Sequence, residues 1–237
     1  MDNPTIHSYR LFKYRSIAGK NRDYTRRVIE RRHIYYASPK QFNDPFDCQF
    51  WVNMDGAPLN AFGISKQEEI RSIAANCMRE DTDNEIAVLS LSEVNDNLLM
   101  WSHYADCHTG ICLELKLKTR EPLQQIVYSD VRPHFYFADV REQDRDHDRF
   151  GRSIIATLGT KASHWAYEKE WRCIDFGGPG ERPMSEVMLA GIVFGCRMSE
   201  NDKLEVRGWV DSSGLPVRYY QAEQRPGEFA LDIIPLV

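Results

Sequence analysis

From Ile111 to Lys118 the residues alternate strictly, with Ile111, Leu113, Leu115 and Leu117 in one set and Cys112, Glu114, Lys116 and Lys118 in the other. A period of two sends each set to its own side, so this segment predicts a β-strand with one aliphatic face. The period changes elsewhere. Ser65 to Arg79 places Ile70, Ile73, Ala74, Cys77 and Met78 at helical spacing behind a Ser65 and Glu68 capping pair, which predicts an amphipathic helix whose stripe is core. Such switching is expected of one α+β domain, a mostly antiparallel sheet flanked by helices. It spans residues 1–237, with a core over 9–176 and a β-rich completion over 184–237.

Further strands are expected at Tyr9 to Arg15, Ile34 to Ala37, Glu85 to Leu91, Gln124 to Ser129, Glu168 to Asp175, Leu189 to Gly195, Val217 to Ala222 and Phe229 to Ile234. Helices are expected at Arg22 to Arg32, at Asp96 to Asp106, from Arg141 through Leu158, and after a Ser199 cap. No strand leads into a GxGxxG or GxxxxGKS loop, so neither a dinucleotide-binding Rossmann site nor a P-loop is supported. The first residues lack an apolar secretion core, and the longest apolar run, Val187 to Cys196, is half a membrane span. The expectation is a soluble cytoplasmic protein with no membrane partner. Six cysteines without a C-x-x-C pair read as reduced thiols. His103, Cys107, His108 and Cys112 lack the paired spacing of zinc ligands, and burial, with no metal, is the expectation.

The formal charge of -5 hides an asymmetry. Residues 1–40 carry +7 and the remainder -12. A basic N-terminal part can hold phosphate groups even in an acidic protein.

Four segments carry more polar and aromatic detail than a core requires. The first, LFKYRS from Leu11, puts Lys13 and Arg15 on one strand face and Phe12 and Tyr14 on the other. In the second, Ser38 to Asp47, Pro45 suits Asp44 to an N-cap role with Asp47 at N3, while Asn43 and Asp44 alternatively face a ligand. In the third, Leu98, Trp101 and Ala105 form a buried helical stripe, and Leu99, His103 and Asp106 lie on another face. There Trp101 and Tyr104 either pack or stack on a ligand ring. The fourth, His164 to Arg172, read as a strand, sets Glu168, Glu170 and Arg172 against Tyr167, Lys169 and Trp171. Carboxylates two residues apart on a half-buried strand need a cation beside them.

The blocks LFKYRS, IYYASPKQFNDPFD, LSLSEVNDNLLMWSHYADCHTGICLEL and WAYEKEWR, in this order, resemble the bacterial family known as domain of unknown function 2971. The resemblance runs from Leu11 to Arg172 and implies a cytoplasmic bacterial protein associated with mobile elements and phage defence.

The order of strand, helix, short strand ending in Ser, and late E-x-E is also similar to ADP-ribosyltransferases. This second resemblance implies NAD as cofactor, contacted by Lys13 or Arg15, with Tyr14, Asn43, Asp44, Trp101 and Tyr104 as further candidates around it. It makes Ser38 the residue that positions the nicotinamide ribose, Glu170 the catalytic Glu and Glu168 the group that orients an acceptor, whether protein or nucleic acid. Compact members have the Ser nearer the Glu, so either Ser65 to Lys118 is an insertion or Ser90 or Ser92 takes the place of Ser38. A fixed carboxylate suits this chemistry because breaking the N-glycosidic bond develops positive charge on the ribose. Two other classes stay open. Glu114 and Lys116 have the E-x-K form of metal-dependent nucleases, with Asp96 or Asp106 upstream and Arg22, Arg26, Arg27 and Arg31 for a nucleic-acid backbone. The third is a non-enzymatic sensor whose Arg-rich helix docks a partner.

Overall fold

Strands form wherever the two-residue period is strong. The computed structural model describes residues 6–53, 83–120, 123–136, 154–185 and 187–236, with a few positions between 69 and 80. Its strands are β1 (His7–Arg15), β2 (His33–Tyr36), β3 (Trp51–Asn53), β4 (Ala87–Ser92), β5 (Ile111–Thr119), β6 (Gln124–Gln125), β7 (Val127–Ser129), β8 (His134–Tyr136), β9 (Thr160–Ala162), β10 (Glu170–Asp175), β11 (Gly180–Pro183), β12 (Val187–Phe194), β13 (Arg218–Gln224) and β14 (Leu231–Leu236). The helices named among the described residues are α1 (Lys20–Glu30), α2 (Leu98–Tyr104) and α3 (Glu200–Ser213). Most of the helix expected over Ser65 to Arg79 and most of the one from Arg141 fall outside the described residues, although the positions described between 69 and 80 and residues 154–158 are helical.

The architecture is α+β. Eight strands make one sheet in the order β14-β13-β12-β5-β1-β4-β10-β6. Its pairs are antiparallel except β12 with β13. The alternation in β5 decides which residues go to which side. Ile111, Leu113, Leu115 and Leu117 join Leu11, Ile192 and Phe194 in a core under α1 and α3, which contribute Val28, Ile29, Val206, Trp209 and Val210. Cys112 turns to the other side with Phe12, Tyr14 and Val193, where Met100, Trp101 and Ala105 cover them. Helices thus flank both faces.

Local chemistry fixes the helix ends. The Asn97 side chain accepts from the Leu99 and Met100 amides at the start of α2, and Ser199 accepts from the Asp202 amide at the start of α3. Gly214, at φ 65, closes α3 in the left-handed conformation that glycine adopts freely. A methyl group at Gly195 would lie 2.1 Å from the His108 carbonyl oxygen, so the exit from β12 requires glycine.

Two features open a site. β1 and β4 share a single paired position, Phe12 with Ser92, whereas β1 pairs with β5 along its full length. The sheet is therefore weakly joined at β1/β4. The Ala37 bridge to Val88 then carries the Ser38 to Asp47 segment past β4. The expected strand from Glu168 begins later, because Ser163–Glu168 is a 3-10 helix and Lys169, at φ 44, turns the chain into β10. Glu168 and Glu170 are nevertheless both buried, and Lys169 between them is exposed.

Candidate functional site

A cavity of about 320 Å³ opens along the β1/β4 junction, large enough for a small organic ligand. Phe12 to Arg15 line it from β1, Ser90 to Ser92 from β4, Gln41 to Asn43 from the loop after β2, and Tyr104 from α2. Lys161, Glu168, Glu170 and Asp47 form its charged floor.

That floor belongs to a buried cluster of five formal charges: Asp47, Lys161, Glu168, Glu170 and Arg172. Arg172 donates to Glu170 Oε1 at 2.8 Å and Oε2 at 3.2 Å, to Asp47 Oδ2 at 2.7 Å and Oδ1 at 3.0 Å, and to the Leu158 carbonyl at 2.6 Å. Lys161 donates to Glu170 Oε2 at 2.9 Å and to Glu168 Oε2. Tyr104 donates its hydroxyl proton to Glu168 Oε1 at 2.7 Å. Pairing is what makes such burial tolerable. Burial alone would raise the Glu170 carboxyl, but Arg172 and Lys161 outweigh it and bring its pKa down to about 2. Burial would likewise lower the Lys161 ammonium, and Glu170, Glu168 and Asp47 reverse that and raise it. Three carboxylates against two cations leave one formal negative charge.

Lys13 and Arg15 bring further cations to the same cavity. Lys13 donates to the Ser90 carbonyl at 2.7 Å, and Arg15 bonds the Thr25 hydroxyl at 3.3 Å. Neither is among the ion pairs of the described residues. Burial brings Lys13 down to about 8, aided by the charge of Arg15 and opposed by Glu170 and Glu168. Two half-buried cations that form no ion pair among the described residues suit an anionic ligand.

A family model described as "Protein of unknown function (DUF2971)" matches residues 100–173, which contain most of α2, all of β5 and the Glu168 to Arg172 segment. Over those residues the chain is similar to the DUF2971 family. No curated protein and no solved structure matches the chain. The matched DUF2971 segment supplies Tyr104, Lys161, Glu168, Glu170 and Arg172, while Lys13, Arg15 and Asp47 come from the chain before it.

The structure brings Lys13, Tyr14, Arg15, Asn43, Tyr104, Glu168 and Glu170 to one cavity, but other candidates lie elsewhere. Ser38 is buried and donates its hydroxyl to the Asp83 carbonyl at 2.7 Å; Ser90 and Ser92 line the cavity instead. Trp101 has no exposed surface, packs edge-on against Tyr14 and donates its indole N–H to the Asn95 carbonyl. It is core. Asp44 caps a turn by accepting from the Phe46 amide, and its other oxygen takes the Trp165 N–H at 2.7 Å, in a second cavity. Asp47 does not act at a helical N3 position, because the segment after Pro45 is a turn and its carboxylate faces Arg172.

Glu114 is buried and held by Arg10 at 2.9 Å and Arg218 at 3.1 Å, while Lys116 is exposed. Asp106 sits on a left-handed turn with Cys107 and His108 and accepts from Thr109. Among the described residues no group of three His, Cys, Asp or Glu is placed to hold a metal. Cys112 is buried but Cys107 is exposed, and His108 lies between Ser102 and Cys196. The Arg-rich helix does not serve the cavity either: Arg22 pairs with Asp202 and Glu205 of α3, Arg26 with Glu30, and Arg27 with Glu181. No helix among the described residues is long and apolar enough to cross a membrane.

Sequence reading misses Lys161 and Gln41. Lys161 stands in an unremarkable Thr-Lys-Ala-Ser stretch, and its importance arises only when β9 meets the carboxylates seven and nine residues downstream.

Proposed function

We propose that the cavity binds NAD or a related phosphate-bearing nucleotide and cleaves its N-glycosidic bond, as ADP-ribosyltransferases and NAD glycohydrolases do. The observation that carries this reading is that one cavity holds the cations Lys13 and Arg15 together with a charged cluster that has one excess carboxylate. The cations would hold the diphosphate, and Arg15 offers a fork for two phosphate oxygens. The floor would face the ribose, where departure of neutral nicotinamide leaves positive charge on C1′. Glu170, kept ionised by Arg172 and Lys161, would stabilise that charge electrostatically. Glu168, with Tyr104, would orient the attacking water or acceptor hydroxyl. Attack by water forms the C1′–O bond and releases nicotinamide, ADP-ribose and one proton. Such consumption of NAD would serve the phage-defence role implied by the family resemblance.

The test is mass spectrometry after incubation with NAD, with and without Mg²⁺. Wild type is expected to release nicotinamide. Glu168→Gln and Glu170→Gln are expected to lower the rate by about a hundredfold or more, the scale of losing one preorganised electrostatic group. Circular dichroism on each variant guards against unfolding, which matters for Glu170 because its partners are buried. Equal turnover by folded variants and wild type would remove the catalytic assignment. A binding module without turnover is the second reading, favoured because both oxygens of Glu168 and of Glu170 already accept hydrogen bonds within the protein. It predicts saturable NAD binding and no nicotinamide release.

The amine of Lys13 gives a pH signature. A lysine near 8 is charged below that pH and neutral above it, so affinity for an anionic nucleotide should be highest below pH 8 and fall as pH rises through about 8. Titrations from pH 6.5 to 9.5 would check this. Lys13→Arg should flatten the profile, because a guanidinium stays charged throughout.

A further inference from the structure

The rim of the cavity carries two side-chain amides whose orientation is fixed by their partners. Gln41 Oε1 accepts from the Ser38 amide at 2.9 Å and from the Tyr35 hydroxyl at 3.1 Å. A backbone N–H can only donate, so the oxygen end is assigned, and the Nε2 donors remain for a ligand. At Asn43 the sense is reversed. A carboxylate accepts from the single hydroxyl proton of Tyr104, which commits that proton to Glu168 at 2.7 Å. The Tyr104 oxygen must then accept from Asn43 Nδ2, at 3.2 Å, which leaves Asn43 Oδ1 as an acceptor. Phe42, at φ -70 and ψ 149, is the one residue between them. All three line the cavity beside Tyr35.

We infer that Gln41 and Asn43 form a donor and acceptor pair that reads an aromatic ring bearing a neighbouring acceptor and N–H donor, with Tyr35 and Phe42 alongside the ring. Two sources share that chemistry: the carboxamide of a nicotinamide ring and the amino edge of adenine. The inference deepens the nucleotide reading and rests on it. It assigns specificity to residues that touch neither the phosphates nor the glycosidic carbon.

Calorimetric titration with two ligand pairs tests it. Nicotinamide mononucleotide is compared with its 3-acetylpyridine analogue, which keeps the carbonyl acceptor and lacks the N–H. AMP is compared with purine riboside monophosphate, which lacks the amino group. In at least one pair the N–H-bearing member should bind about tenfold more tightly, the scale of one net hydrogen bond, and the pair that discriminates identifies the ring. Asn43→Ala should bring that ratio within twofold. Equal affinity within both pairs in wild type would overturn the inference while leaving the nucleotide reading in place, provided Lys13→Ala with Arg15→Ala still abolishes binding of all four. If none of the four binds wild type, or binding survives that double substitution, the nucleotide reading falls and the inference with it.

Discussion

Arg172→Ala is expected to cost about 3–5 kcal/mol of stability, the penalty for leaving buried carboxylates without their cation. The Arg172 side chain has 0% exposure and is shared by Asp47 and Glu170. Without it the one cation that still pairs with the two carboxylates among the described residues is Lys161, which already serves Glu168. A domain of this kind has about 5–15 kcal/mol in total, so the variant should be marginally folded or insoluble. Arg172→Lys should fall between the two, since an ammonium keeps the charge but not the fork that reaches both partners. Urea denaturation at pH 7 checks this, and a loss under about 1 kcal/mol for Arg172→Ala would mean that the cluster is not a unit. The same pairing sets an acid dependence. Glu170 lies at about 2 in the folded protein against about 4.3 in an unfolded chain. The stability it contributes is thus complete above the unfolded value and is lost as pH falls toward 2.

Replacing both Lys13 and Arg15 by alanine should have the opposite signature, with binding lost and the fold kept. Neither residue pairs with a carboxylate among the described residues, so their removal strands no opposite charge. Burial works against the charged form of Lys13, as its lowered pKa shows. Their value lies in the ligand. Charge-assisted hydrogen bonds to phosphate contribute about 1.5–3 kcal/mol each, so the double substitution should weaken nucleotide binding at least a hundredfold, or about 3 kcal/mol. Thermal unfolding of the double variant should stay close to that of wild type. A large fall in stability with unchanged affinity would make the two cations structural.

Much of the fold was legible where one face of an element is apolar. The alternation in β5, the helical spacing of Trp101 and Ala105, and the Ser199 cap each state their structure locally, and each appears as read. The Glu168 to Arg172 segment was legible in burial but not in backbone. Its two-residue pattern of charges survives because a left-handed Lys169 joins a 3-10 helix to a strand. The site was legible in part. Lys13, Arg15 and the two glutamates announced themselves as charges within aromatic neighbourhoods, yet nothing local pairs Asp47 with Arg172 across 125 residues. Ser38 and Trp101 misled because a hydroxyl or an indole N–H can be satisfied by one backbone carbonyl, and which carbonyl comes within reach depends on the fold. The Arg-rich helix misled for a related reason: its charges complement α3 and β11, not the cavity.

The claim that Lys13 and Arg15 make the β1/β4 cavity a nucleotide site is tested most directly by titrating NAD into wild type and into the Lys13→Ala, Arg15→Ala variant at pH 7. One saturable site per chain in wild type, weakened at least a hundredfold in a variant that remains folded, is the predicted result; no binding to wild type, or equal affinity in the two proteins, would contradict it.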